Sequence, residues 1–451
     1  MTEAVMQGGF SRRSSAPGKR RRVALRAWAP PLVAVACLLM AHFLFGAASP
    51  VSALFVSACL IGAAVLSILA AGPRFVTFGM AMGIAAIWIF AASGFSGPID
   101  RAAPALAILF ASGAIWATGY VCARQRGALD IVWTGLVWSS FVFCLWSFFQ
   151  HIADALSGAP GSANLAFGFS SAPAAASLFG LFALIGSARI LHVVKQMDAE
   201  ALSRSAMIDR LFRDALGGML LLGFSLTCLV MTGSRVGILL TGGVLLFQAC
   251  WDTWAITQRD HRNPLVRWLA RLSPLIAAGL CGFGIVQSFL HDESVSSQVA
   301  HTDILPRLQR LQVYFSAWLE RPLFGHGLGS LHIARDRLAT LSNAEVLAAP
   351  GDAQNVFLHW MVETGAVGTL AILTAIAAIH VGIFRAFGGG KMPRTFIRLA
   401  LVASLLMTLH GVADNSLVLP SLVWLYAFLL GAACGVAVSR RGSSSREMKT
   451  V

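Results

Sequence analysis

Charge is what this chain has least of. Only 12% of its 451 residues are Asp, Glu, Lys or Arg, about half the share that a soluble globular protein carries. So little charge over that length cannot coat a water-facing surface, which excludes a soluble enzyme and a disordered chain alike. There is no glycine-rich phosphate loop, no Asp-x-Asp metal motif and no long soluble domain. No cysteine lies in a long external loop: Cys37, Cys59, Cys122, Cys144, Cys228, Cys250, Cys281 and Cys434 fall within apolar runs or at their ends. A disulfide framework and a cysteine-based zinc site are therefore not expected.

What is present is apolar length. Hydrophobic residues make up 57% of the chain, and its mean hydropathy is +0.73. Runs of about 17–25 apolar residues read as membrane spans. Twelve lie near 30–48, 51–71, 75–93, 104–122, 130–150, 172–195, 217–233, 236–255, 274–291, 354–384, 396–413 and 416–438. The expected fold class is an all-α polytopic membrane protein with about twelve transmembrane helices. One long external loop, 292–352, is expected to hold short helices.

The net charge of +14 would suggest a nucleic-acid partner in a soluble protein. Here its distribution reports topology. With the N-terminus placed in the cytoplasm, 27 of the 34 Lys and Arg fall on the cytoplasmic side. Arg101, Arg235, Arg307, Arg310, Arg321, Arg335 and Arg337 are the seven that do not. That is the positive-inside pattern, so both termini are expected in the cytoplasm and no nucleic-acid partner is needed. Reading the first run as a cleaved signal peptide would leave eleven spans with the wrong parity. The expected organisation is a basic, disordered cytoplasmic arm over 1–29 that can touch anionic lipid and a six-helix half over 30–216. A second half over 217–438 and a cytoplasmic tail over 439–451 follow. Residues 196–216 read as a short cytoplasmic amphipathic helix.

Four polar clusters interrupt the second half. In TGSRVG, Arg235 lies in a hairpin only a few residues long; snorkelling to headgroups is the bland reading. In RLQRLQVYFSAWLERPLFGHGLGS, apolar Leu308, Leu311, Phe315, Trp318 and Leu319 recur at helical spacing before Pro322 and a turn with Gly325, Gly327 and Gly329. An amphipathic helix lying on the membrane would satisfy that pattern too. In DAQNVFLHWMVETGAVG, Asn355, His359 and Glu363 share one helix face. Glu363 then lies roughly 12 Å below Asn355, and an intramembrane carboxylate is a site hypothesis by default. In LHGVADNSLVLP, His410 and Asp414 stand four apart, a spacing that lets a carboxylate orient an imidazole. His42, His192, His261 and His380 lack such company and read as packing or interface residues.

Together the clusters set arginine beside imidazole and carboxylate on one side of the membrane. Guanidinium groups bind phosphate oxygens bidentately, and His or Glu can take a proton from an alcohol. Such a set suits transfer from a phosphate-linked donor to a hydroxyl acceptor.

The order of these motifs resembles the O-antigen ligase and polymerase family of membrane proteins. SRVG at 234–237, RLQVYFSAWLERPLFGHGLG at 310–329, QNVFLHWMVETGAVG at 354–368 and HGVAD at 410–414 carry the likeness. It covers about 217–438, and the first six spans match only in hydropathy. The resemblance implies the helical architecture of integral-membrane, lipid-linked-sugar glycosyltransferases. It implies a polyprenyl-diphosphate-linked glycan donor at the periplasmic face of a bacterial inner membrane. The acceptor would be a lipid A-core sugar in a ligase, or another lipid-linked repeat unit in a polymerase, which would work beside a chain-length regulator.

Carried onto this chain, the resemblance assigns Arg235 and a loop arginine to the diphosphate. That arginine is Arg310 by its relation to Tyr314 and Ala317, or Arg307 by its distance to Pro322. Ser234, His326, Gln354 and Asn355 complete the substrate-binding set. The family has His where this chain has Gln354, and glutamine cannot act as a base. The base is then His359, or His410 backed by Asp414, or the acceptor is activated differently; Glu363 is also in the catalytic set. No metal and no cofactor are expected. A twelve-span transporter or flippase is the alternative, but the two six-span halves show no repeat and the polar groups gather near one face.

Overall fold

The computed structural model describes residues 32–71, 99–125, 127–157, 172–199, 204–257, 271–279, 298–340, 353–387 and 394–447, with isolated positions between them. Among these residues there is no strand. The helices are α1 (Leu32–Phe43), α2 (Pro50–Ala71), α3 (Ile99–Arg124), α4 (Ala128–Ser157), α5 (Ala172–Ala199) and α6 (Arg204–Asp214). Then come α7 (Leu216–Met231), α8 (Arg235–Thr257), α9 (Gln298–Glu320), α10 (Leu331–Leu338), α11 (Val356–Phe387), α12 (Arg394–Ala413) and α13 (Pro420–Glu447).

Among the described residues, eight helices are long and apolar enough to cross a membrane. They are nine if α7 and the end of α6, joined at a 61° bend, form one span. The chain is thus an all-α, multi-pass membrane protein. The expected runs near 75–93 and 274–291 lie largely outside the described residues. α1 is shorter than its apolar run. It stops at Phe43, and the chain turns through Gly46 at φ 72°. The external loop also holds a longer helix than expected, because α9 reaches back to Gln298 and runs for 23 residues.

Burial separates the helices by role. Most of the spans of α5, α12 and α13 is buried inside the protein, whereas α11 turns most of its length outward. α5 is the hub and packs against α7, α8 and α12. α13 packs against α3 through Gly431 and Gly435. A Cβ on Gly431 would overlap the Trp116 carbonyl, and one on Gly435 the Tyr120 carbonyl. Small residues four apart let two helix backbones approach where lipid supplies no hydrophobic drive for association. Gly431→Leu is therefore expected to force α3 and α13 apart. The check is the yield of monodisperse protein in mild detergent, expected to fall several-fold.

Candidate active site

A chain of backbone and side-chain contacts gathers the polar clusters at one end of the bundle. It starts at the hairpin between α7 and α8. Gly233 takes the left-handed conformation at φ 64°. The Thr232 hydroxyl donates to the Leu229 carbonyl at 2.7 Å and accepts from the Ser234 N–H at 3.2 Å. Ser234 Oγ accepts from the Gly237 N–H at 3.1 Å, so Ser234 is the N-cap of α8. Gly237 lies so close to α5 that a Cβ would overlap that of Ala176. Arg235 occupies the first helical position and is exposed. A cation there meets the positive end of the helix dipole, which costs about 0.3–1 kcal/mol unless an anion sits nearby. Ser234→Ala is expected to destabilise the protein by about 1 kcal/mol, read as a lowered melting temperature, while Ser234→Thr keeps the cap.

One residue beyond Ala176, α5 meets α12. Ser177 Oγ lies 2.7 Å from His410 Nδ1 and 2.6 Å from Ser416 Oγ. It is also 3.0 Å from the Pro173 carbonyl. A hydroxyl has one hydrogen to give. If Ser177 donates to Pro173, it accepts from both His410 and Ser416, and His410 carries its proton on Nδ1. His410 is fully buried, and its Nε2 has no hydrogen-bond partner among the described residues. The expected pairing of His410 with Asp414 is not what holds the ring. Asp414 instead gives its backbone N–H to the His410 carbonyl at 2.6 Å. Ser177 lies in the half of the chain that no motif reaches, so no sequence signal pointed to it.

The last carbonyls of α12 then receive donors from two other elements. Asn355 Nδ2 donates to the Val412 carbonyl at 3.1 Å, and the Arg307 guanidinium donates to the Ala413 carbonyl. Asn355 also N-caps α11, because its Oδ1 accepts from the Leu358 N–H at 3.0 Å. These contacts bring α9, α11 and α12 together at one level. The observed partners of Arg307, Asn355 and Ser234 are thus backbone groups. Gln354, directly before the cap, takes φ 49°, a left-handed conformation that costs a non-glycine residue about 1–3 kcal/mol.

Lower down, the glycine turn docks into a break in α11. Gly365 adopts φ 65°, ψ −172° inside the helix, which frees carbonyls before it and N–H groups after it. The turn takes up both sets. The His326 N–H donates to the Val362 carbonyl at 2.8 Å and the Gly327 N–H to the Glu363 carbonyl at 2.9 Å. In return the Ala366 N–H donates to the Pro322 carbonyl at 2.8 Å and the Val367 N–H to the Leu323 carbonyl at 3.1 Å. Unsatisfied backbone groups in lipid cost several kcal/mol each, so the PLFGHG and ETGAVG motifs are two halves of one structure. The His326 ring is 2.7 Å from the Ala317 carbonyl through Nε2, which ties the turn back to α9. At the far end of the turn, Gly329 abuts the Arg101 carbonyl at the start of α3.

Between these two anchors lie the groups with chemistry to offer. α9 and α11 share an apolar seam of Tyr314, Ala317, Leu358 and Val362. Arg310 stands one turn before Tyr314. Its Nε is buried with no hydrogen-bond partner among the described residues. On α11, His359 Nε2 lies 3.5 Å from Glu363 Oε1, and both residues are only 7% exposed. Arg310 on α9 and the His359–Glu363 pair on α11 therefore belong to the two helices of one seam. No group of three or more His, Cys, Asp or Glu placed to hold a metal ion occurs among the described residues.

This geometry can be set against known proteins. No curated protein matches the chain. Residues 220–373 match the family model described as O-antigen ligase. The match contains the hairpin, α9, the glycine turn and the break in α11, and leaves His410 and Asp414 outside. Over residues 220–373 this multi-pass membrane chain is thus similar to the O-antigen ligase family.

Proposed function

We propose that the protein transfers a glycan from a polyprenyl diphosphate to a sugar hydroxyl at the periplasmic face of a bacterial inner membrane. The observation that carries this reading is Arg310 Nε, a buried guanidinium donor with no acceptor among the described residues, on the helix that packs against the one carrying the His359–Glu363 pair. An unmade hydrogen bond to a buried charged group is costly, and a diphosphate oxygen would supply the missing acceptor. Residues 217–438 form the catalytic part, and both termini face the cytoplasm.

In this reading Arg235 and Arg310 hold the diphosphate from two sides. His359 takes the proton of the acceptor hydroxyl. Because the Glu363 carboxylate faces Nε2, the imidazole keeps its hydrogen on Nε2 and Nδ1 is the basic nitrogen. The acceptor oxygen bonds to the anomeric carbon as the bond from that carbon to the diphosphate oxygen breaks. The electron pair leaves with the lipid diphosphate, whose growing charge the two guanidiniums stabilise. Ser234, Asn355, Arg307 and His326 act by holding the backbone that carries these groups. Gln354 lies at the mouth of the seam, beside the cap residue. His410, enclosed in the bundle, fixes the corner between α12 and α13, and Asp414 belongs to the same corner. Donor chemistry of this kind serves ligases and polymerases alike.

Two histidine variants test the base. His359→Ala is expected to lower turnover by about 10²–10⁴-fold with little change in melting temperature. His410→Ala is expected to lower the melting temperature and to keep substantial turnover per folded molecule. The reverse pattern would move the base to His410.

A further inference from the structure

The packing of α9 on α11 leaves one face of α9 uncovered, and that face is apolar. Leu308, Phe315 and Leu319 stand two turns and then one turn apart, so they share a side of the helix, with exposed Gln312 between the first two. The glycine turn adds Leu323 and Phe324. Each of these five apolar residues is between 47% and 59% exposed. The opposite side of α9, with Tyr314 and Ala317, is the buried seam on α11. A contiguous apolar surface of this kind marks a contact with lipid or with another protein.

The length of α11 shows where lipid begins. Its 32 residues make a helix of about 48 Å at the helical rise, far longer than a hydrocarbon core of about 30 Å. The stretch after the break, 366–387, is about 33 Å long and crosses such a core by itself. Exposure divides the helix at the same point. Every residue of α11 up to Ala366 is buried or half-buried, and the exposed Val367, Leu370, Thr374, Val381 and Phe384 all follow the break. Arg385 in the last turn marks the far boundary, so the count places the near boundary at Gly365. The glycine turn is fastened at that level. The Val367 N–H donates to the Leu323 carbonyl at 3.1 Å, and a Cβ on Gly365 would meet the Phe324 nitrogen.

We propose that Phe315, Leu319, Leu323 and Phe324 form a wedge among the acyl chains of the leaflet on the active-site side, with α9 lying in the interface. Continuity decides the occupant. The apolar surface of the turn starts at the joint where the outward face of α11 starts, and that face belongs to a membrane span. A protein covering the wedge would have to end at that joint, whereas lipid covers both surfaces without a seam. Arg321, exposed between Leu319 and Leu323, reaches the headgroups as a long cationic side chain beside apolar ones does. The wedge also sets Glu363, two residues before the break, at headgroup level rather than in hydrocarbon, where a carboxylate is costly. The claim concerns contact with lipid and does not rest on the proposed reaction.

The test uses the full-length protein in vesicles of phosphatidylethanolamine and phosphatidylglycerol, with the photoreactive p-benzoylphenylalanine introduced at Phe324, Phe315 or Leu370. Leu370 is 62% exposed on the outward face of α11 and serves as the reference for lipid contact. After illumination, the probes at Phe324 and Phe315 are expected to give phospholipid adducts, read by mass spectrometry, within an order of magnitude of the yield at Leu370. A probe at Leu319 stands in if the protein with one at Phe324 does not fold. Lipid adducts at Leu370 with none at the wedge positions would overturn the proposal. Cross-linked protein dimers in place of lipid adducts would also overturn it, by assigning the surface to a second copy of the chain. Either failure leaves the proposed glycan transfer standing, and loss of activity in the arginine variants says nothing against the wedge.

Discussion

Arg235→Ala and Arg310→Ala are each expected to cut glycan transfer by about 10²–10³-fold, the loss typical when one donor to a developing anion is removed. Neither should disturb folding. Arg235 is exposed at the start of α8, and removing it relieves an unfavourable interaction with the helix dipole. Arg310 Nε makes no hydrogen bond among the described residues. Lysine at either position should restore only part of the activity, since a point charge cannot grip two oxygens as a planar fork does. Wild-type transfer in both alanine variants would remove the arginines from the diphosphate. Arg307→Ala separates the two loop arginines: losing its bond to the Ala413 carbonyl should lower stability more than turnover.

The second large effect is structural. Gly365→Ala should lower the melting temperature by about 8 °C or more, or prevent recovery of folded protein. Its φ of 65° with ψ −172° belongs to a region that only glycine enters freely, and a Cβ would overlap the Leu323 carbonyl. Gly325→Ala attacks the same joint from the other side. Its φ is +68°, and its Cβ would lie 2.5 Å from the Glu363 carbonyl carbon. Gly382→Ala in the same helix serves as the control, because nothing lies within 4 Å of its Cβ position. A neutral Gly365→Ala would mean that the turn does not dock into the break.

Much of this architecture was written in the sequence. Long apolar runs mark α2, α5, α8 and α12, and the spacing of Leu311, Phe315 and Trp318 announces α9. The alignment of His359 with Glu363 follows from their i, i+4 spacing. Contacts between distant segments were not legible. Neither PLFGHG nor ETGAVG says that its backbone groups pair with the other, because the exchange joins residues some forty apart. The same limit hides Ser177, which reaches His410 from 233 positions away. It also hides why Asn355 and Arg307 matter, since their partners are carbonyls and carbonyls leave no trace in residue identity. Asp252 and Arg398 were visible as charges at the edges of apolar runs, but only the fold pairs them.

One assay bears most directly on the claim that arginines from the hairpin and from the loop helix grip one diphosphate. Purified protein is given a defined polyprenyl-diphosphate glycan and a hydroxyl acceptor, and both the glycosylated acceptor and the freed lipid diphosphate are quantified. The predicted result is equal molar release of the two products by the wild-type protein, with neither product formed above background by Arg235→Ala or Arg310→Ala. Release of both products at the wild-type rate by either variant would contradict it.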